Sequence, residues 1–376
     1  MVHRWVHTSI AQQVIVGPGA VTTMRETLKA LGLRRVLLVT TPGRAESDGG
    51  ERVRSAIGRA LADTFDEVVA DVPATAVQAA VRNLRGESFD GLVSFGGGAV
   101  IDTAKALAFF SEHESGTPAA GFADRPLLPH VAIPTTLAGA AFSSTFSMID
   151  PQSRRSTTAG APTMAPVAIM ADPELGADLP AELLLGSIAT ALAHGVESLW
   201  APDRTPEAEA LAVGGLARLA AAAPAAMAEP GDVERRADLV DGAVLCGRAR
   251  LNAGDGLHHV LARLVAARAG VSHGAVHAAL LPVTTRFTTE FAPEAATAII
   301  GAVGAADGAD EGEGDAAGAL ADLLGRLGPV PGLSDLGVTD DDLDSVSRQA
   351  GSHRGVQVHP RPVGEADVRA LLEDAW

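Results

Sequence analysis

The first 175 residues alternate short β-branched runs with helical stretches, and beyond them the β signal fades. That change of character restricts the chain more than any single motif. Arg35-Val36-Leu37-Leu38-Val39-Thr40, ended by Thr41-Pro42-Gly43, reads as a buried strand and a turn. Glu67–Pro73, Asp90–Phe95, His130–Pro134 and Val167–Met170 read as further strands, with helices over 51–63 and 75–86. Strands alternating with helices predict a mostly parallel sheet with helices on both faces. After residue 180, Leu183–Leu199, Pro206–Ala222, Val233–Arg250, Gly256–Ala269 and Ala275–Phe287 are rich in Ala and Leu at helical spacing. The expectation is an α/β domain over 1–175 and an all-α domain over 176–376. Residues 302–318, rich in Gly, Ala and acidic side chains, predict a mobile surface loop. No repeat of solenoid period is present.

Composition narrows the class. The chain's 376 residues carry 29 Lys+Arg against 46 Asp+Glu, a formal charge of −17, with 47% hydrophobic residues. This is globular and acidic, so nucleic acid is not the expected partner, because phosphate contacts need clustered cations. A single cysteine, Cys246, excludes an internal disulfide framework and any Cys-rich zinc site, and a reducing, cytoplasmic setting fits. The segment MVHRWVHTSIAQQVIVG does not read as a signal peptide, and no uninterrupted apolar run of about 20 residues predicts a membrane span.

Two segments point to a nucleotide. Phe95-Gly96-Gly97-Gly98-Ala99-Val100-Ile101-Asp102-Thr103-Ala104-Lys105 follows a predicted strand and opens a helix. Consecutive glycines let backbone N–H groups approach a ligand, and the helix start adds a positive dipole, so a diphosphate is the natural occupant. The plain alternative is a tight turn. Asp102 either points back at the site or only favours the helix start. Thr135 and Thr136 in Ile133-Pro134-Thr135-Thr136 stand at a strand's C-terminal edge, where open α/β sheets bind ligands. In the helical half, five of the eleven histidines fall in three short stretches, at His194, His258-His259 and His273…His277. Thr190 and His194, like His273 and His277, are four apart and share a helix face. Imidazoles at such spacing serve as metal ligands or proton carriers.

The order GGG-x-x-x-D-x-A-K, IPTT-x-AG, A-L-A-H-x-x-E, GLHH and H-x-x-x-H-A-x-x-LP resembles the iron-containing alcohol dehydrogenase superfamily over nearly the whole chain. Within it the likeness is closest to the maleylacetate reductases, through Thr40-Thr41-Pro42-Gly43, the stretch Ala191–Pro202, and Pro360-Arg361-Pro362 running into Ala370-Leu371-Leu372. The resemblance implies a dehydroquinate synthase-like fold, an N-terminal nucleotide-binding domain beside a helical one, and a cleft between them. It also implies reduction with NADH or NADPH in a homodimer, on a small anionic substrate. Gly96, Gly97, Gly98, Asp102, Thr135, Thr136 and Thr41 are its cofactor-side residues. His194, His259, His273, His277 and Arg263 are its catalytic ones.

Three departures qualify the resemblance. Metal-dependent members carry aspartate at Thr190 and histidines at the positions of His194, His259 and His273; a threonine hydroxyl is a poor ligand beside a carboxylate, so a metal is not expected. Arg263 stands where the family has a histidine assigned to proton relay. Arginine donates no proton near neutrality but binds carboxylates bidentately, unless it simply faces solvent. Ala138-Gly139-Ala140-Ala141-Phe142 lacks the polar residues of the reductases on the nicotinamide side. Hydride transfer to a carbon conjugated to a carbonyl would need donors at the developing oxyanion: His194, His259, His273 and Arg263. Arg263 and the Arg154-Arg155 pair are candidates to hold substrate carboxylates. Thr41 replaces an aspartate of NAD-preferring relatives, so the 2′-phosphate of NADP is not rejected, and NADH is the nominal choice. The alternatives are a non-redox lyase, isomerase or cyclase using the histidines for acid–base chemistry, and an inactive homologue.

Overall fold

The structure, a computed structural model, describes residues 5–6, 10–70, 72–84, 88–114, 128–304 and 315–376. The chain divides after Asp178 into two compact units, Ile10–Asp178 and one carrying Leu179–Trp376. Most of the predicted 302–318 loop lies outside the described residues; Val303 and Gly304 end one helix and Ala316 begins the next.

The first unit holds strands β1 (Gln13–Val16), β2 (Val36–Val39), β3 (Leu61–Phe65), β4 (Gly91–Gly96), β5 (His130–Pro134), β6 (Thr145–Ile149), β7 (Ser156–Gly160) and β8 (Ala168–Ala171). Its helices are α1 (Met24–Leu31), α2 (Pro42–Ala45), α3 (Asp48–Ile57), α4 (Ala74–Asn83) and α5 (Gly98–Glu114). Six strands form a parallel sheet in the order β1-β8-β5-β4-β2-β3, and β6 and β7 make a separate antiparallel hairpin. Alternation along β2 explains why both faces are covered. Leu37 and Val39 join Leu92, Val100 and Leu107 on one side, while Val36 and Leu38 join Val93, Phe95, Ile133 and Met170 on the other.

One strand differs from the sequence reading. The third strand is Leu61–Phe65, whose first three residues the reading gave to a helix over 51–63, whereas the predicted strand at Glu67–Pro73 has no strand over its described residues. Gly58, at φ 63°, stops the preceding helix. The valines that imitated a strand, Val68 and Val72, are buried in the core, and the segment meets β6 only at a single bridge, where Ile149 N donates to the Val72 carbonyl at 3.2 Å.

The second unit is helical: α6 (Ala181–Ser198), α7 (Pro206–Ala228), α8 (Val233–Ala253), α9 (Leu257–Ala269), α10 (His273–Thr289), α11 (Pro293–Gly304), α12 (Ala316–Leu327), α13 (Asp340–Ala350), α14 (Arg354–Gln357) and α15 (Glu365–Asp374). Helix α6 is buried continuously from Leu184 to Ser198, as a helix apolar on all sides must be. Helix α7 is long and apolar enough to cross a membrane by length and composition. Its stripe Ala208, Ala212, Leu216, Leu219 and Ala223 is nonetheless packed inside the unit. Where α6 meets α10, Gly186 and Gly274 stand backbone to backbone; a Cβ on either would lie 2.9 Å from main-chain atoms of the other.

Candidate functional site

The order of the parallel sheet fixes where a ligand can enter. From β2 the chain moves outward to β3, then returns to place β4 on the other side of β2. The loops leaving the C-terminal ends of β2 and β4 therefore part company, and that crevice is where open α/β sheets bind ligands. The loop after β2 carries Thr40 and Thr41; Gly96 ends β4, Gly97 makes the turn and Gly98 begins α5. Thr40 ties the two together, its hydroxyl donating to the Phe95 carbonyl at 2.7 Å.

The three glycines have three different reasons. Gly96 sits at φ 155°, and a Cβ there would lie 2.5 Å from Val100 Cγ2. At Gly97 a Cβ would meet Thr136 Cγ2 at 3.3 Å, so the two loops touch. Gly98 has neither restriction: a Cβ would find only ordinary contacts at 3.7 Å or more. Packing does not require glycine at this first residue of α5, whereas an anion approaching the helix N-terminus does. Thr135 is buried, its N–H donating to the Gly96 carbonyl at 3.0 Å, and Thr136 is half-buried beside it. The cradle fits a dinucleotide diphosphate.

Asp102 and Thr41 have other partners. The Asp102 carboxylate accepts from Lys105 Nζ and from Ser147 N, both at 3.2 Å. Lys105, fully buried, also donates to the carbonyls of Ala140 at 2.6 Å and Thr145 at 2.8 Å. The pair thus bolts β6 and the Ala140 turn to α5. Thr41 caps α2, accepting from Arg44 N at 3.3 Å. Arg154 and Arg155 lie in the connection between β6 and β7, Arg155 exposed.

In the helical unit, α6, α9 and α10 bring all five histidines together. The rings of His194 and His259 stack with centroids 4.8 Å apart and planes 9° apart. His277 lies 5.0 Å from His259, 4.8 Å from His258 and 4.5 Å from His273, centroid to centroid. Two residues outside the predicted catalytic set hold the cluster. Glu197, buried and one turn beyond His194 on α6, accepts from Gly256 N at 3.0 Å, His258 N at 2.6 Å and His259 Nδ1 at 2.5 Å. A Cβ on Gly256 would stand 2.6 Å from the Glu197 carboxylate, so the glycine before the His pair admits the acid. His258 is the second: its Nε2 lies 2.7 Å from His277 Nδ1 and its Nδ1 2.9 Å from Thr284 Oγ1. The quoted A-L-A-H-x-x-E spacing contained the signal for Glu197, since residues three apart share a helix face.

Burial holds most of these rings neutral, helped at His194 by the positive charge of Arg250. The pKa values of His194, His258 and His277 fall well below the ordinary range, chiefly by desolvation. His273 keeps solvent contact at its surface, yet the protein crowding its other sides lowers it to about 4. Arg263 does not face open solvent: it pairs with Asp255 at 3.3 Å, and Arg250 takes the same carboxylate at 2.5 Å. Burial raises the Asp255 carboxyl, but Arg250, His259 and Arg263 outweigh it and hold it well below the usual carboxylate range. Two guanidiniums on one carboxylate leave one positive charge uncompensated.

Where the resemblance implies the carboxylate ligand of metal-dependent members, this chain has Thr190. The Thr190 hydroxyl donates to the Gly186 carbonyl at 2.8 Å. Among the described residues, no three His, Cys, Asp or Glu side chains converge to hold a cation.

Known proteins resemble this chain over nearly its whole length. A sequence model described as iron-containing alcohol dehydrogenase matches residues 11–173, and its C-terminal counterpart matches 187–376. The chain is 30% identical to the maleylacetate reductase of Rhizobium sp. (strain MTP-10005) over 99% of its own length and 97% of the relative's. It is 32% identical to that of Delftia acidovorans over 72% and 71% of the two chains. The crystal structure of maleylacetate reductase from Agrobacterium tumefaciens superposes with a TM-score of 0.84 at 30% identity, covering 100% of this chain and 99% of that one. The chain belongs to the iron-containing alcohol dehydrogenase family.

Proposed function

We propose that this oxidoreductase is an NAD(P)H-dependent reductase of the maleylacetate reductase kind, acting without a metal on a small carboxylated enone or ketone. The glycine cradle at the switch point carries the reading, since Gly98 answers no packing need and opens the start of α5 to a diphosphate. When bound, the nicotinamide supplies a hydride. The protein's own part is to hold the dinucleotide at Gly96–Gly98, Thr135 and Thr136, and to receive the charge that develops on the substrate oxygen. Neutral imidazoles suit that second task, because an uncharged ring in a water-poor site donates a hydrogen bond without a standing charge to neutralise. His273, the ring that keeps solvent contact, is the one able to recover a proton from water. The surplus positive charge of Arg250 and Arg263 on Asp255 supports an anionic substrate, which the net charge of −17 would otherwise repel. Thr41, spent as a helix cap, offers no carboxylate against a 2′-phosphate, so NADH and NADPH are both to be tried.

Titration of the purified protein with each nucleotide, followed by nicotinamide fluorescence and then addition of maleylacetate, tests the reading. Saturable binding and oxidation of the reduced nucleotide are expected, with activity retained after EDTA treatment. Failure to bind either nucleotide refutes the reductase; stoichiometric iron or zinc whose removal abolishes turnover refutes the metal-free part.

A further inference from the structure

The bonds behind His277 determine which of its two nitrogens carries the proton. Thr284 lies within α10, and its Oγ1 stands 2.9 Å from the Leu280 carbonyl one turn back. A carbonyl only accepts, so the hydroxyl proton is spent there. Toward His258 Nδ1, at 2.9 Å, the Thr284 oxygen is then an acceptor, and Nδ1 of His258 carries the proton. Nε2 of a neutral His258 is left as a lone pair, which takes the Nδ1 proton of His277 at 2.7 Å. His277 is thereby left with a bare Nε2. Among the described residues that atom is buried without a hydrogen-bond partner. The reverse assignment would set the Thr284 oxygen against the Leu280 carbonyl with no proton between them, and this low-dielectric interior penalises it.

From these contacts we propose that His258 and Thr284 are positioning residues that lock His277 as the Nδ1–H tautomer, making its Nε2 a fixed hydrogen-bond acceptor within the histidine cluster. The chain ends on a helix carbonyl that can neither take up nor pass on a proton. It is therefore a lock and not a proton wire. The inference holds whether or not the nucleotide reading does, because it concerns proton positions in the ligand-free protein.

Two-bond ¹H–¹⁵N correlation spectra of protein labelled with ¹⁵N-histidine read the tautomer directly, with His277→Asn identifying the resonance. The proton is expected on Nδ1 of His277 in the unaltered protein and in Thr284→Ser. In Thr284→Val, which keeps shape but removes the acceptor, and in His258→Phe, the population should shift toward Nε2–H. Should either variant fail to fold, the unaltered protein and Thr284→Ser still decide the matter. A His277 that carries its proton on Nε2 in the unaltered protein, or whose tautomer is the same in folded Thr284→Val, overturns the proposal.

Discussion

Glu197 shows how much a single buried acid organises. Three donors converge on its carboxylate, two of them backbone N–H groups that introduce α9 and the third the ring of His259. All three need an acceptor, so Glu197→Gln turns an NH₂ group against one of them while leaving size and shape alone. Leaving one buried donor unmet costs about 1–3 kcal/mol. Denaturant unfolding should register that loss, and turnover with reduced nucleotide should fall by roughly tenfold or more as His259 loses its orienting partner. An unchanged rate would detach Glu197 from the chemistry. The residue was present in the motif read from sequence, but its weight was not legible there. Nothing in linear order says that the N–H groups of residues 256 and 258 point at residue 197. Arg263 makes the same point. Read alone it is a cation in search of a substrate; folded, it shares Asp255 with Arg250.

At the scale of elements, the cluster depends on how closely α6 and α10 cross. Gly186 and Gly274 bring the two backbones into contact, and the rows that carry Thr190 and His194 on α6, and His273 and His277 on α10, start from that crossing. Gly274→Ala places a methyl group 2.9 Å from the main chain of α6, which cannot yield as a side chain would. The expected cost is about 1–3 kcal/mol. The same substitution should disperse the histidines, reducing kcat while leaving nucleotide affinity at the Gly96–Gly98 cradle unchanged. Measuring the two quantities separately checks this, and equal losses in both would contradict it. Helical elements were readable because their apolar spacing is long and repeated. The third strand was not, since Leu61–Phe65 continues a helical pattern, while the valine-rich segment after it is buried as irregular chain.

For the molecule as a whole, buried neutral histidines set the behaviour in acid. His130, in the sheet and bonded to Ser94 at 2.7 Å, is lowered to about 3 by burial and then by Lys105. His273 is lowered to about 4, and His194, His258 and His277 are lowered as well. Each folded pKa lies below the unfolded value of 6.5, so as pH falls the unfolded chain takes up protons that the folded one refuses. Stability from these groups is fully present above pH 6.5 and is lost as the pH falls through the folded values. Each group contributes at most about 1.4 kcal/mol per pH unit in that window. Melting temperatures should therefore drop steadily between pH 6.5 and 4, and His130→Asn should flatten part of the slope. A flat profile would mean that these rings are charged in the folded protein.

Local pattern alone specified the two kinds of domain and the strand–glycine–helix passage, because hydrophobic period and turn chemistry are written in adjacent residues, and the order of short motifs carried the resemblance to the family. Which groups meet was left to the folded chain. The partnership of Glu197 with His259, the pairing of two arginines on Asp255, and the line from Leu280 through Thr284 and His258 to His277 join residues on different helices or in different turns. Hydrogen bonds and desolvation act over a few ångströms of space, and sequence separation carries no record of that distance.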